Sequence, residues 1–252
     1  MNYLKKLSTA LLFVTAIYST SSYADWGSYL DDLTTAGKEL LSGSSDSSSA
    51  LDYDTVVSGL KEALDVGTRY AIDNVSQKDG YLANELIHIA MPPQLQQASN
   101  LMRQFGLSAQ ADQFEQSMNH AAEKAAPQAT NIIVDAIKNM TIEDANNILN
   151  GSDDAATQYF KTHTSTRLAE LFNPTIENSL NQVGTTKYYN DLTGKIAELP
   201  LVGENINLNL SDYVTEQALN GLFTMIALEE KKIRDNPTAR TTELLKQVFG
   251  NR

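Results

Sequence analysis

The sequence predicts a mainly α-helical fold, a multi-helix bundle carrying one small two-stranded β pairing. Three observations point there. Apolar residues recur at steps of three and four through most of the chain, as on one face of a helix. Capping signals punctuate it at helix-length intervals: Thr141 with Asp144, Asn173-Pro174 and Asn236-Pro237. Only two short segments, 86–91 and 205–210, switch to strict alternation.

Residues 1–24 read as a cleavable signal peptide. Lys5 and Lys6 precede a mostly apolar run from Leu7 to Tyr18, and Ser22-Tyr23-Ala24 places small residues where a signal peptidase reads. That run is too short and interrupted to span a bilayer. Cleavage near Ala24 makes the periplasm the expected compartment, with no transmembrane segment in the mature chain. A 24-residue leader takes two of the 19 basic side chains and none of the 31 acidic, moving the formal charge from −12 to −14. Such a surface repels phosphate backbones, which excludes nucleic acid as a partner. With no cysteine, stability must come from an apolar core.

Residues 25–41 form an amphipathic N-terminal helix with Trp26, Tyr29, Leu30, Leu33, Leu40 and Leu41 on one side. Its polar residues are acidic, unlike the lysine-rich face of membrane-binding helices, so it suits docking on its own domain or on a protein. The Ser-rich stretch 42–50 is a tether, and 51–252 is the helical domain. Asp52 caps a helix carrying Val56, Val57, Leu60, Ala63, Leu64 and Ile72, which ends near Lys78-Asp79-Gly80. A short helix runs from Pro93 to Gly106. A long one spans Ser108 to Met140, with a kink expected at Pro127 because proline lacks the donor for the Glu123 carbonyl. Thr141 opens a helix that stops at Gly151, and Ser152 caps another reaching Phe172. Helices from Thr185, Ser211 and Asn236 complete the count. Ile87, Ile89 and Met91 in one alternating segment, and Ile206, Leu208 and Leu210 in the other, would pair as strands because a lone strand leaves its backbone unbonded.

Phe114, Met118, Ala122, Ala125, Ala129, Ile132, Ala136 and Met140 make a core stripe whose alanine centre lets a neighbouring helix approach closely. His120 lies on the polar side. Paired with Glu123 it offers two metal ligands where a zinc site needs about three, so no metal site is expected. Three histidines and no Gly-x-Ser-x-Gly elbow leave no serine-hydrolase constellation, and P-loop, HExxH and EF-hand patterns are absent. No catalytic residue and no cofactor is assigned. Glu230 and Arg234, four apart, together with Arg240, read as a charged clasp between the last two helices. The functional alternative is an arginine site for an anionic ligand.

The blocks MNHAAEKAAPQA, MTIEDANNILNGSDDAATQYF and YVTEQALNGLFTMIALEEKKIRDNPTARTTELLKQVFG resemble an exported proteobacterial family known as domain of unknown function 4197. The resemblance spans about Leu51 to Phe249, with several unusual blocks in the same order. His120 departs from it, standing where that block would carry arginine, which weakens any histidine-centred mechanism. The resemblance implies a helical exported domain and brings no catalytic residues. The expected function is a non-enzymatic periplasmic binding or envelope-associated module for a protein or small polar ligand. The alternative is a periplasmic carboxylate-dependent hydrolase. Candidate ligand contacts, taken from the family-like blocks, are Asn119, Glu123, Thr157, Tyr159, Glu230, Arg234 and Arg240.

Overall fold

A computed structural model describes residues 53–104, 108–182 and 209–235. Among them the chain forms α1 (Tyr53–Ser76), α2 (Pro93–Gln104), α3 (Ser108–Ala125), a 3₁₀ turn (Ala126–Gln128), α4 (Ala129–Asn139), α5 (Ile142–Leu149), α6 (Ala155–Gln182) and α7 (Leu210–Asp235). The predicted leader, N-terminal helix, tether and helices from Thr185 and Asn236 lie outside the described residues.

The predicted stripes are buried except at Val56 and Ala136, which are partly exposed. On α1, Leu60, Ala63, Leu64, Ala71, Ile72 and Val75 face the core. On α3 and α4 the buried residues are Phe114, Met118, Ala121, Ala122, Ala125, Ala129, Ile132 and Ile133. Pro127 divides the predicted long helix into two at the 3₁₀ turn, since it removes an i→i−4 donor and its ring crowds the preceding turn.

The two longest elements are α6 and α7. On α6, Ala156, Phe160, Thr164, Leu168, Phe172, Ile176 and Leu180 are buried at every fourth position. At about 3.6 residues per turn a period of four walks round the helix by roughly 40° per step. The buried stripe therefore winds, and α6 packs against α3, α4, α5 and α7 in succession. In turn α7 packs on α1, α3 and α6.

Three expectations need correction. The first is the β pairing: no strand occurs among the described residues. Residues 88–92 carry no regular structure, Ile89 is bonded by a side chain of α3, and Leu210 already belongs to α7. Residues 205–208 lie outside the described part. Asn209, which reads as an outward strand residue, instead sits at the N-cap of α7, where its Oδ1 accepts from Asp212 N–H at 3.3 Å.

Second, α6 does not stop at Phe172 but runs through Pro174 to Gln182. Pro174 is on the exposed side, while Phe172 and Ile176 are buried on either side of it. The helix is further held there by Gln128 donating to Thr175 Oγ1 at 2.6 Å and Asn173 donating to Asp212 Oδ1 at 2.7 Å. Third, Ser152 does not cap α6; its hydroxyl donates to Asp154. A further difference lies in the clasp: Glu230 and Arg234 are buried, their side chains 4% and 9% accessible, and among the described residues they do not join the last two predicted helices.

The capping box at Thr141 forms as predicted. Thr141 Oγ1 accepts from Asp144 N–H at 3.1 Å, and Asp144 Oδ2 accepts from Thr141 N–H at 2.9 Å. The turn at 78–80 is also where the sequence placed it. Asp79 has a φ of 63°, and a side chain at Gly80 would collide with the carbonyl oxygens of Asn74 and Val75.

Close approach is tightest at Gly221, where an added Cβ would sit 2.7 Å from Tyr81 Cε1 and 3.1 Å from Ile87 Cβ. Both neighbours are buried and fixed. At Gly67 the contact is Ile233 Cδ1 at 3.0 Å, the tip of a side chain free to rotate away. Gly221→Ala should therefore destabilise the domain by about 1–3 kcal/mol through overpacking. Gly67→Ala should be near neutral, because helix propensity offsets the contact by about 0.8–1 kcal/mol. Urea denaturation of the two variants checks the contrast.

Candidate functional site

Between Ser76 and Pro93 the chain leaves α1, crosses the bundle and enters α2 without regular structure. This strap buries Tyr81, Ile87, Ile89 and Met91, so its backbone polar groups need partners inside the protein. The α3 helix supplies them from one face. Glu123, 6% exposed, accepts from three strap amides: Tyr81 N–H at 3.1 Å, Asp79 N–H at 3.2 Å and Leu82 N–H at 3.3 Å. One turn earlier, the fully buried Asn119 grips both backbone groups of Ile89. Its Oδ1 accepts from Ile89 N–H at 2.8 Å, and its amide nitrogen donates to the Ile89 carbonyl at 2.9 Å. The asparagine side chain thus does for Ile89 what a neighbouring strand would have done.

Two imidazoles line the same seam. His120 Nε2 lies 3.0 Å from Asp79 Oδ1 and 3.9 Å from Glu123 Oε2. The His88 ring bridges the Leu82 carbonyl at 2.9 Å and Glu115 Oε1 at 2.6 Å. Across the strap, the Tyr81 hydroxyl donates to the Ala218 carbonyl at 2.7 Å and that of Tyr213 donates to the Ala90 carbonyl at 3.1 Å. Burial, reinforced by the Glu123 charge, pushes the Tyr81 phenol well above its ordinary value.

A second buried carboxylate closes the N-terminus of α6. Glu230, on α7, accepts from Ala156 and Thr157 N–H, each at 2.9 Å, and from the Thr157 hydroxyl at 2.8 Å. These are among the unpaired donors that begin any α-helix, and the positive end of the α6 dipole favours the anion. Arg234 donates to Glu230 Oε1 through Nη2 at 2.8 Å and to the Ile148 carbonyl at 2.9 Å. The pair is a clasp, but it ties α7 to the start of α6 and the end of α5. Removing one member of a buried pair like this typically costs about 3–5 kcal/mol, since the other charge is left uncompensated. Beside it lies a shallow surface recess lined by Leu60, Ala63, Leu64, Ile233, Glu230 and Arg234.

The candidate residues thus fall into two hydrogen-bonded nodes. Asn119 and Glu123 hold the strap; Thr157, Glu230 and Arg234 form the helix-end node. Tyr159 belongs to neither set of bonds: its hydroxyl donates to the Ala136 carbonyl at 3.4 Å, and its ring stacks on His163 with centroids 4.2 Å apart. Burial, and secondarily the Asp144 charge, raises the Tyr159 phenol above its ordinary value. Arg240 lies outside the described residues. Sequence reasoning missed His88, Glu115, Asp79 and Tyr81. Only the alternation at 86–91 hinted that His88 would point opposite to the buried Ile87 and Ile89. Among the described residues no group of three or more histidine, aspartate or glutamate side chains is placed to hold a metal ion.

A cysteine-free helical bundle stapled by two internal carboxylates is the class that fold and site define. Residues 50–250 match the family model described as Protein of unknown function (DUF4197), and the chain belongs to that family. No curated protein and no solved structure gives a significant match.

The Tyr81 geometry fixes a pH dependence. The folded chain keeps the buried phenol proton, which the unfolded chain releases above about pH 10. The folded state then holds one more proton, so stability falls as pH rises, by about 1.4 kcal/mol per pH unit for this group. Tyr81→Phe should lose about 1 kcal/mol at neutral pH with the Ala218 hydrogen bond. Its alkaline denaturation should be shallower by that slope, as measured by urea titrations between about pH 9 and 11.5.

Proposed function

We propose that the chain works in the periplasm as a non-enzymatic binding or envelope-associated helical module. The observation that carries this reading is what Glu123 and Glu230 do. Each accepts hydrogen bonds from two or three backbone amides, and Glu230 also receives Arg234. A carboxylate whose acceptor sites are already filled by backbone amides has little freedom to approach a substrate. Within this reading, Asn119, Glu123 and Thr157 serve the fold. Glu230 and Arg234 offer a ligand their recess-facing side, where apolar walls stand beside a charged pair. That edge suits surface contact with a partner protein or a small polar ligand rather than engulfment in a pocket.

Export is supported by the leader-like features of residues 1–24. Among the described residues no helix is long and apolar enough to cross a membrane. The test joins fractionation with a thermal-shift screen of the purified chain against metals, nucleotides, sugars, peptides and lipids. The chain should appear in the periplasmic fraction, shortened by its leader. A ligand at about 100 to 1,000 times its dissociation constant should stabilise the fold by about 3–4 kcal/mol. Silence across the panel counts against ligand binding. Substrate turnover abolished by neutralising one carboxylate would establish the hydrolase instead.

A further inference from the structure

Both ring nitrogens of His88 face oxygen atoms. Nδ1 is 2.9 Å from the Leu82 carbonyl oxygen and Nε2 is 2.6 Å from Glu115 Oε1. A carbonyl oxygen only accepts hydrogen bonds, and so does an ionised carboxylate. Neutral imidazole carries a single N–H, so beside an ionised Glu115 one bare nitrogen would face an oxygen lone pair at contact distance. Both contacts are satisfied only when the pair holds one extra proton. Either His88 is an imidazolium donating on both sides, or Glu115 is a carboxyl group donating to Nε2 while Nδ1–H donates to Leu82. The other histidines have no such requirement. His120 needs one N–H toward Asp79 and Glu123, and His163 needs one toward the Tyr159 carbonyl.

We infer that the strap is a proton-linked latch: residues 77–92 close on α3 with one proton captured between His88 and Glu115, and closure weakens as rising pH withdraws it. The pair is only partly covered, with side-chain accessibilities of 28% and 24%, so solvent protons reach it. Its charged surroundings come from two helices. Glu115 itself lies on α3; on α7, Tyr213 sits over the strap with its phenol raised by burial and by the charges of Glu115 and Glu216. Further along the seam lie His120, Asp79 and Glu123.

The direction follows from proton counting. Below about pH 6.5 a free imidazole is protonated anyway, and unfolding, which releases the strap, costs no proton. Above that, the unfolded chain loses a proton that the folded one keeps. The folded-to-unfolded ratio then falls by up to tenfold per pH unit until the pair itself deprotonates.

Glu115→Gln isolates the effect. A carboxamide accepts through its oxygen or donates through its nitrogen, so neutral His88 is satisfied on both sides and no extra proton is needed. Urea titrations between about pH 6 and 8.5 should show the wild-type ratio falling more steeply than that of Glu115→Gln, by up to tenfold per unit. Equal slopes would overturn the latch. NMR on the intact wild-type chain decides independently of how the variant folds. With labelled histidine nitrogens and glutamate carboxyl carbons near about pH 7.5, the latch requires either two protonated nitrogens on His88 or a protonated Glu115. A bare His88 nitrogen beside an ionised Glu115, in folded protein, would refute it.

Discussion

A buried stretch of backbone that is neither helix nor strand has to find a partner for each N–H and C=O, and this one constraint organises the structure. The strap after α1 carries Tyr81, Ile87, Ile89 and Met91 into the core, and no strand among the described residues meets it. Instead α3 turns two polar side chains inward, Glu123 for the amides near Tyr81 and Asn119 for both backbone groups of Ile89. An unpaired buried polar group costs about 1–3 kcal/mol, so these two side chains are what permit the strap's apolar residues to be buried. Gly221 on α7 then exists as a glycine because Tyr81 and Ile87 have been brought against it. Ala121, Ala122 and Ala125 of α3 and Ala126 of the 3₁₀ turn, all buried, let the other helices close over the same region.

The α6 terminus repeats the solution with different parts. Its first amides would be unpaired inside the bundle, and Glu230 reaches across from α7 to accept them while Arg234 neutralises the charge. Both nodes join elements far apart in sequence and both place an anion where backbone donors converge. In a chain without cysteine, such contacts specify which elements meet. The apolar stripes supply the bulk of the driving force. Conspicuous acids in a bundle of this kind are accounted for by geometry before any chemistry is invoked.

Much of the fold was legible in the sequence because it is written locally. Steps of three and four marked α1, α3 and α4; Thr141 with Asp144 marked a helix start; Lys78-Asp79-Gly80 marked a turn; Pro127 marked a break. The failures share a cause. Alternation at 86–91 correctly signalled that every second side chain is buried, but the segment opens in a turn and the partner of Ile89 was an asparagine 30 residues away in sequence. Ser152 looked like the cap of α6, yet the donors go to Glu230, 73 and 74 residues downstream. Pro174 reads as a boundary, and the burial of Phe172 and Ile176 overrides it. Propensity speaks for neighbours along the chain, whereas these choices were made by neighbours in space. The candidate site divided similarly: the residue types were noticed, but their buried, internally bonded state depends on tertiary contacts that spacing does not reveal.

The central claim is that Glu123 and Asn119 make the strap part of the bundle's cooperative core. Native-state hydrogen exchange of the amides of Tyr81, Leu82 and Ile89 tests it most directly, compared with those of Ala121 and Ala122 in α3. The strap amides should exchange only through global unfolding, with the same opening free energy and urea dependence as the helix amides. Exchange through a local opening with little urea dependence, while α3 stays protected, would contradict the account.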